Sequence, residues 1–248
     1  MRVKLIVWVL LFAMTGTAHG QLLKKLKKTA KTITSTTANG SSSALSNADY
    51  VKGLKEALNI AANNSAVTAS TIDGFNKNVD IRIPFPQDAI VVKNYAVKMG
   101  LKPQVDVFEE KLNRAAELAA KKAAPIFLSA IQSMSIADAT SIAMGDKNAA
   151  TQYLRKTSGV ELSNQFKPIV AEALASVSIA KYWKPLADSY NKVSLFIGKE
   201  QVNANLEEYV TSKAVDGLFL LVEREEANIR KEPVKYGSDL LKKIFTTK

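Results

Sequence analysis

Residues 103–133 read PQVDVFEEKLNRAAELAAKKAAPIFLSAIQS, and this stretch decides the fold class. Its apolar positions are Val105, Phe108, Leu112, Ala115, Ala119, Ala123, Ile126 and Ala130, continuing to Met134, and every step is three or four residues. That spacing gathers them on one side of a helix with 3.6 residues per turn. On the opposite side, Glu110 with Arg114 and Glu117 with Lys121 stand four apart, acid first, the order that supports a solvent-facing helix. Pro125 predicts a kink or a division of this helix, because proline lacks the amide hydrogen a helix interior needs.

Outward from this stretch the same period recurs. It predicts helices near 47–63, 65–73, 87–99, 136–144, 147–157, 160–178, 180–196, 205–231 and 238–246. Ser46-x-x-Asp49 and Ser135-x-x-Asp138 read as capping boxes with Asp in place of Glu. Asn205 before Leu206-Glu207-Glu208 reads as an N-cap with acids in the first turn. Gly100, Gly145, Gly159 and Gly198 stand where helices can end. The exception is Gly74 to Pro86, GFNKNVDIRIPFP, where Val79, Ile81 and Ile83 alternate with Asp80 and Arg82. A lone strand has no partner, so an extended segment lying across helices is expected. The fold class is therefore all-α: a single multi-helix bundle or array of about nine to ten helices, with one extended, proline-containing segment near 74–86. No internal repeat is found.

Upstream, residues 1–20 have the pattern of an export signal. Arg2 and Lys4 form a basic start, Leu5 to Met14 an unbroken apolar run, and Ala18-His19-Gly20 a small-residue cleavage pattern before Gln21. Ten apolar residues fall short of the roughly 20 that cross a bilayer. Residues 21–33, QLLKKLKKTAKTI, carry Lys24, Lys25, Lys27, Lys28 and Lys31, no acid, and an apolar stripe through Leu22, Leu26 and Ala30. The pattern suits contact with an anionic membrane or envelope polymer, or a solvated leader. Residues 32–44, TITSTTANGSSSA, read as a flexible linker. The division is thus a signal peptide at 1–20, a basic segment and linker at 21–44, and a helical domain at 45–248.

The chain has 248 residues, 34 basic against 23 acidic, for a net charge of +11. Two basic residues lie in the leader and five lysines in the basic segment, so the body sets 27 against 23, a net +4. The charge describes the tail, and nucleic acid is not an expected partner. There is no Cys, and the single His, His19, is in the leader. Without them, Ser-His-Asp and Cys-His catalysis, disulfides and His- or Cys-ligated zinc are excluded from the mature chain. No phosphate-loop or dinucleotide motif appears. No catalytic residue, metal or cofactor is expected. The missing Cys also excludes lipid attachment at a mature N-terminal cysteine.

Several strings resemble a bacterial family, the domain of unknown function 4197. They are DYVKGLKEAL at 49–58, IRIPFP at 81–86, Asn113 to Glu117 with Ala124 to Phe127, AATQYLR at 149–155, YVTSKAVDGLF at 209–219 and DLLKKIF at 239–245. They occur in the family's order and span about 45–248. The resemblance implies an exported all-α protein of the cell envelope or periplasm of a Gram-negative-type bacterium. It supplies no catalytic residue to transfer.

Candidate ligand-contacting residues remain, each with a structural alternative. Arg82, between two isoleucines, suits a carboxylate or phosphate, or an ion pair within the fold. Gln152, Tyr153 and Arg155, with Thr151, share one and a half helical turns, as a cleft lining or an exposed face. Tyr182 and Trp183, with Tyr190, form an aromatic cluster that stacks on a ligand or fills the core. Asp216, in the most apolar helix, needs a partner if buried, and Lys213 is within reach. Three function classes follow. The first is a non-enzymatic envelope protein that binds an unknown partner. The second is a carrier of an apolar ligand in a helical cavity. The third is a carboxylate-dependent hydrolase using two of Asp73, Asp80, Asp216 and Glu223.

Overall fold

The computed structural model describes residues 45–202 and 204–246. The expected signal peptide and the lysine segment at 21–33 lie outside the described residues. Nine α-helices and two short 3-10 turns make up the body, and no strand occurs among the described residues. The helices are α1 (Asn47–Ser70), α2 (Ile90–Lys98), α3 (Lys102–Ala120), α4 (Ala123–Gln132), α5 (Ile136–Ala143), α6 (Ala149–Ser176), α7 (Ile179–Ser194), α8 (Leu206–Lys231) and α9 (Asp239–Thr246). The caps follow expectation at α1, where Ser46 and Asp49 close a reciprocal box, and at α8, where Asn205 accepts from the Glu208 amide at 3.1 Å.

Small residues set the packing. Ala57, Ala61, Ala62 and Ala69 of α1 and Ala115, Ala116, Ala119 and Ala120 of α3 are buried. α1 packs on α3, α4, α5 and α8, and α6 packs on both α3 and α8. Side chains this small let helix axes approach closely, and Phe75, Phe85, Phe108, Phe127, Phe166 and Phe219, all fully buried, fill the spaces left. At Gly53 an added Cβ would lie 2.2 Å from Ile244 Cδ1, so α9 is seated on a glycine of α1.

Four expectations about boundaries are corrected. Helix 103–133 divides at Lys121-Lys122, ahead of Pro125 rather than at it. The proline has no amide hydrogen for the carbonyl of residue 121 and its ring crowds that carbonyl, so the break falls one turn earlier. The break shifts the register by one residue. Phe127 and Ile131 are buried where Ile126 and Ala130 were expected to be. The two helices expected at 47–63 and 65–73 are one, and so are those at 147–157 and 160–178. Gly159 therefore sits inside α6, where Leu154, Leu162, Phe166 and Val170 bury themselves on either side and outweigh its intrinsic cost.

The irregular stretch is turns and extended chain, not a strand. Ile81 and Ile83 are buried as expected, but Val79 is 90% exposed. One face of α3 holds this stretch. Asn113 accepts from the Ile83 amide and donates to the Ile83 carbonyl, both at 2.8 Å, and Glu117 accepts from the Phe75 and Asn76 amides at 3.2 Å. Glu109, Asn113 and Glu117 recur every four residues, so one polar row of α3, including the Glu117 expected to face solvent, supports this irregular stretch.

Candidate functional site

Arg82 belongs to that support. Its Nη2 lies 2.8 Å from Glu109 Oε2, and Lys93 Nζ lies 2.6 Å from the other oxygen. Glu109 is 5% exposed, so two cations satisfy one buried carboxylate. Next to it, Arg114 joins Glu117 and Asp73, each at 2.8 Å. Hydrogen bonds from Lys77, Arg114 and Asn76 hold the Asp73 carboxyl well below the usual carboxylate range.

The aromatic cluster closes the core. Trp183 packs on Phe108 and Phe85 at ring separations of 5.3 and 6.0 Å, and Tyr190 meets Tyr95 edge-on. Tyr182 lies beneath the Lys111 ammonium at 5.6 Å.

The residues of α6 divide among three tasks. Tyr153 donates to Asp138 at 2.8 Å and fastens α6 to α5, while Gln152 is exposed. Thr151 serves the start of its own helix. Asn148 provides no side-chain cap. Glu226 of α8 does so instead, accepting from the Ala150 amide at 3.0 Å, the Thr151 amide at 2.8 Å and the Thr151 hydroxyl at 2.6 Å. Arg230 pairs with Glu226 at 2.8 Å and donates to the carbonyls of Ile142 and Ala143 at the end of α5. Spacing does not reveal this junction, because its partners lie about 75 residues apart.

Arg155 is different. Its guanidinium lies 2.6 Å from Asp216 and 4.5 Å over the Phe219 ring. Asp216 is therefore not buried, and it pairs with Arg155 rather than with Lys213; its side chain is 52% exposed. The residue points away from the apolar face of α8, into a groove. Two expected ligand contacts are thus brought together, while Arg82, Tyr182 and Trp183 are not part of this place.

The groove runs between α6 and α8, with a volume of about 490 Å³. The helices are antiparallel, since residue 150 meets residue 226 and residue 155 meets 216. One wall is Arg155, Gly159, Val160, Ser163, Asn164 and Lys167; the other is Glu208, Thr211, Ser212, Val215, Asp216 and Phe219. Along each wall steps of three or four residues alternate with steps of one, so each wall is a helix face. From Arg155 to Lys167 is about 18 Å of helix. Hydroxyl and amide groups occupy the middle, with Arg155 and Asp216 toward one end and Lys167 and Glu208 toward the other. Thr211 is 5% exposed, and its hydroxyl has no hydrogen-bond partner in the described structure. A buried hydroxyl without a partner is costly, and here it borders an open polar groove. Ser163, Asn164, Lys167, Thr211 and Ser212 escape a reading of sequence because each is an ordinary polar residue; only the pairing of two distant helices joins them.

The four acids of the hydrolase reading have different partners. Asp73 is held by Lys77 and Arg114, Asp80 by Arg224 at 2.8 Å, Asp216 by Arg155, and Glu223 by Asn148 at 3.2 Å. Among the described residues no group of three or more His, Cys, Asp or Glu is arranged to hold a metal, and no helix is long and apolar enough to cross a membrane.

The family model described as protein of unknown function (DUF4197) matches residues 44–246, nearly all of the body. The chain belongs to this family. Comparison with curated proteins and with solved structures returns no match.

Proposed function

We propose that this member of the DUF4197 family is a non-catalytic binding protein of the cell envelope. It is exported by the leader at 1–20, and its helical body takes a polar, extended part of a partner or ligand into the α6–α8 groove. The lysine segment at 21–33 touches anionic surfaces beside that task.

The single observation behind the reading is the Thr211 hydroxyl, buried and unpartnered, in one groove with the Arg155–Asp216 pair. An ion pair exposed to this degree contributes little to folding, and a buried hydroxyl without a partner works against it. Both are useful to something that fills the groove. The hydrolase reading wants two carboxylates converging on one bond; here each acid has its own basic or amide partner. The carrier reading wants an enclosed apolar cavity; this groove is open, and eight of its twelve lining residues are polar.

A photo-reactive phenylalanine at Ser212 tests the reading in living cells. A discrete adduct that disappears when Lys167→Glu and Arg155→Glu reverse one wall is expected. No adduct at Ser212, or one indifferent to both reversals, refutes the groove as the binding place. Osmotic-shock release tests export: retention with the cytoplasmic fraction refutes the envelope location.

A further inference from the structure

The strongest unexplained surface lies where α7 ends. Leu195 is 66% exposed, Phe196 90% and Ile197 57%. Among the described residues no other three consecutive large apolar side chains stand open in this way. They line neither the α6–α8 groove nor the depression behind the turn formed by Tyr190, Lys199 and Val202.

The segment is a built corner. The Phe196 and Ile197 amides both donate to the Val193 carbonyl, at 3.0 and 3.3 Å, and the Lys199 amide donates to the Ser194 carbonyl at 2.8 Å. Gly198 takes φ +64°, which turns the chain back. Asn191 then ties the returning arm, accepting from the Val202 amide at 2.9 Å and donating to its carbonyl at 3.1 Å. Ser194 is fully buried beneath the turn. These amides are satisfied within the turn, so moving it into an apolar medium strands none of them.

The geometry points to a lipid bilayer as what covers this tip. Three side chains at these exposures offer about 400 Å² of surface, roughly half of the 800 Å² or so that each partner of a stable protein complex buries. A bilayer interface needs no matching surface, and it accepts a few large apolar side chains on a projecting turn. Lys192 and Lys199 are exposed on the two sides of the triad, at the level where phosphate headgroups would meet them. Glu200 and Asp88 border the depression on the body side of the turn, together with Lys199. Insertion is therefore driven by the three apolar side chains, and the charges add less. Contact of this size is peripheral and reversible.

The chain has no Cys, so a single one can be placed and labelled without background. The full chain carrying Phe196→Cys is labelled with an environment-sensitive dye and mixed with vesicles of phosphatidylethanolamine and phosphatidylglycerol in a three-to-one ratio. The emission is expected to brighten and shift to shorter wavelength. The same dye at Val79→Cys, an equally exposed but solitary position, is expected to stay unchanged. In flotation with the same vesicles, Phe196→Asp should weaken recovery about tenfold, with unchanged helical circular dichroism. A silent label at 196 overturns the proposal even if the protein floats, because the lysine segment alone would then account for binding. Equal responses at 79 and 196, or flotation indifferent to Phe196→Asp, also overturn it.

Discussion

Replacing Glu226 tests how the body is held together. This carboxylate is 3% exposed and accepts from two amides and the hydroxyl at the start of α6, and from Arg230. Two physical terms are at stake. The first is the cap: amides at a helix N-terminus carry the positive end of its dipole, and losing a capping side chain costs about 0.5–2 kcal/mol. The second is the ion pair. The Arg230 side chain is 11% exposed, and removing one partner of a buried pair leaves a charge uncompensated, at about 3–5 kcal/mol. The terms overlap, since one carboxylate serves both, so Glu226→Ala is expected to cost about 4 kcal/mol. Glu226→Gln keeps an acceptor for the amides but removes the charge facing Arg230, so about 1–3 kcal/mol is expected.

The assay is urea unfolding followed by circular dichroism, with the slope checked for constancy so that midpoints report stability. For a body of this size each kcal/mol moves the thermal midpoint by roughly 2–4 °C. Arg230→Met supplies the coupling. The double variant Glu226→Ala with Arg230→Met should be less destabilised than the sum of the single changes by about 1–3 kcal/mol, because the stranded charge goes with its partner. If Glu226→Ala costs under about 1 kcal/mol, or the two changes simply add, then Glu226 does not join α5, α6 and α8, and the account of the junction fails.

Other consequences are open to measurement. Asn113→Ala strips the Ile83 amide and carbonyl of their partners, and a loss of about 3 kcal/mol is expected by urea unfolding; under 1 kcal/mol would show that α3 does not hold the irregular stretch. Thr211→Val keeps the shape and removes the unmet hydroxyl, so stability should rise by about 1 kcal/mol while the Ser212 photo-adduct weakens; a fall in stability would mean the hydroxyl has a partner in the free fold. Gly159→Ala should stabilise by about 0.5–1 kcal/mol, since an added Cβ meets only Arg155 Cγ at 3.9 Å, and it should lower the adduct yield by narrowing the groove; destabilisation would refute this. Burial and the hydrogen bond to Glu225 push the Tyr236 hydroxyl up to about 12. A raised value favours the protonated form in the fold, so this contribution is complete below the unfolded value near 10 and is lost as pH rises through about 12. Tyr236→Phe should flatten the alkaline limb of the stability curve between those values; an unchanged limb would refute the assignment.

Local signals in the chain are reliable where a residue's task is local. The Ser46 box, the Asn205 cap and the stripe from Val105 to Ala119 depend on neighbours within a turn, and each is legible. Arg82 is legible too, since an arginine between inward-facing isoleucines next to an acid-rich helix finds a carboxylate. What fails to show is decided at a distance. Gly159 reads as a helix end, because its cost is offset only by packing against helices that lie elsewhere in the chain. Asp216 reads as buried, because its helix is apolar on average; its own direction is fixed by where α6 lies. Glu226 reads as an exposed acid four residues before Arg230, and its buried role requires the start of α6 to arrive beside it. The groove shares this limit, with six positions from each of two helices about 50 residues apart.

Glu226, Asn113 and Glu117 look like surface residues in the sequence, yet the fold gives each of them a complete set of partners. Among the features that depart from what the fold alone would select, three bear on the two surfaces described above. Gly159 loosens a helix where an alanine would fit, Thr211 buries a hydroxyl with nothing to bond, and Phe196 stands almost wholly in water on a rigid turn. Departures without local compensation are expected where a protein meets something else. Gly159 and Thr211 lie in one groove, and Phe196 leads a separate tip, so these three fall in two places. The simplest physical account is two contacts of different chemistry, one polar and recessed, one apolar and projecting. Substitutions that satisfy the fold at each place should therefore stabilise the chain and weaken one contact while leaving the other intact. A single change that abolished both would mean the two places are coupled through the body, which the separate hydrogen bonding of the α7 turn gives no route for.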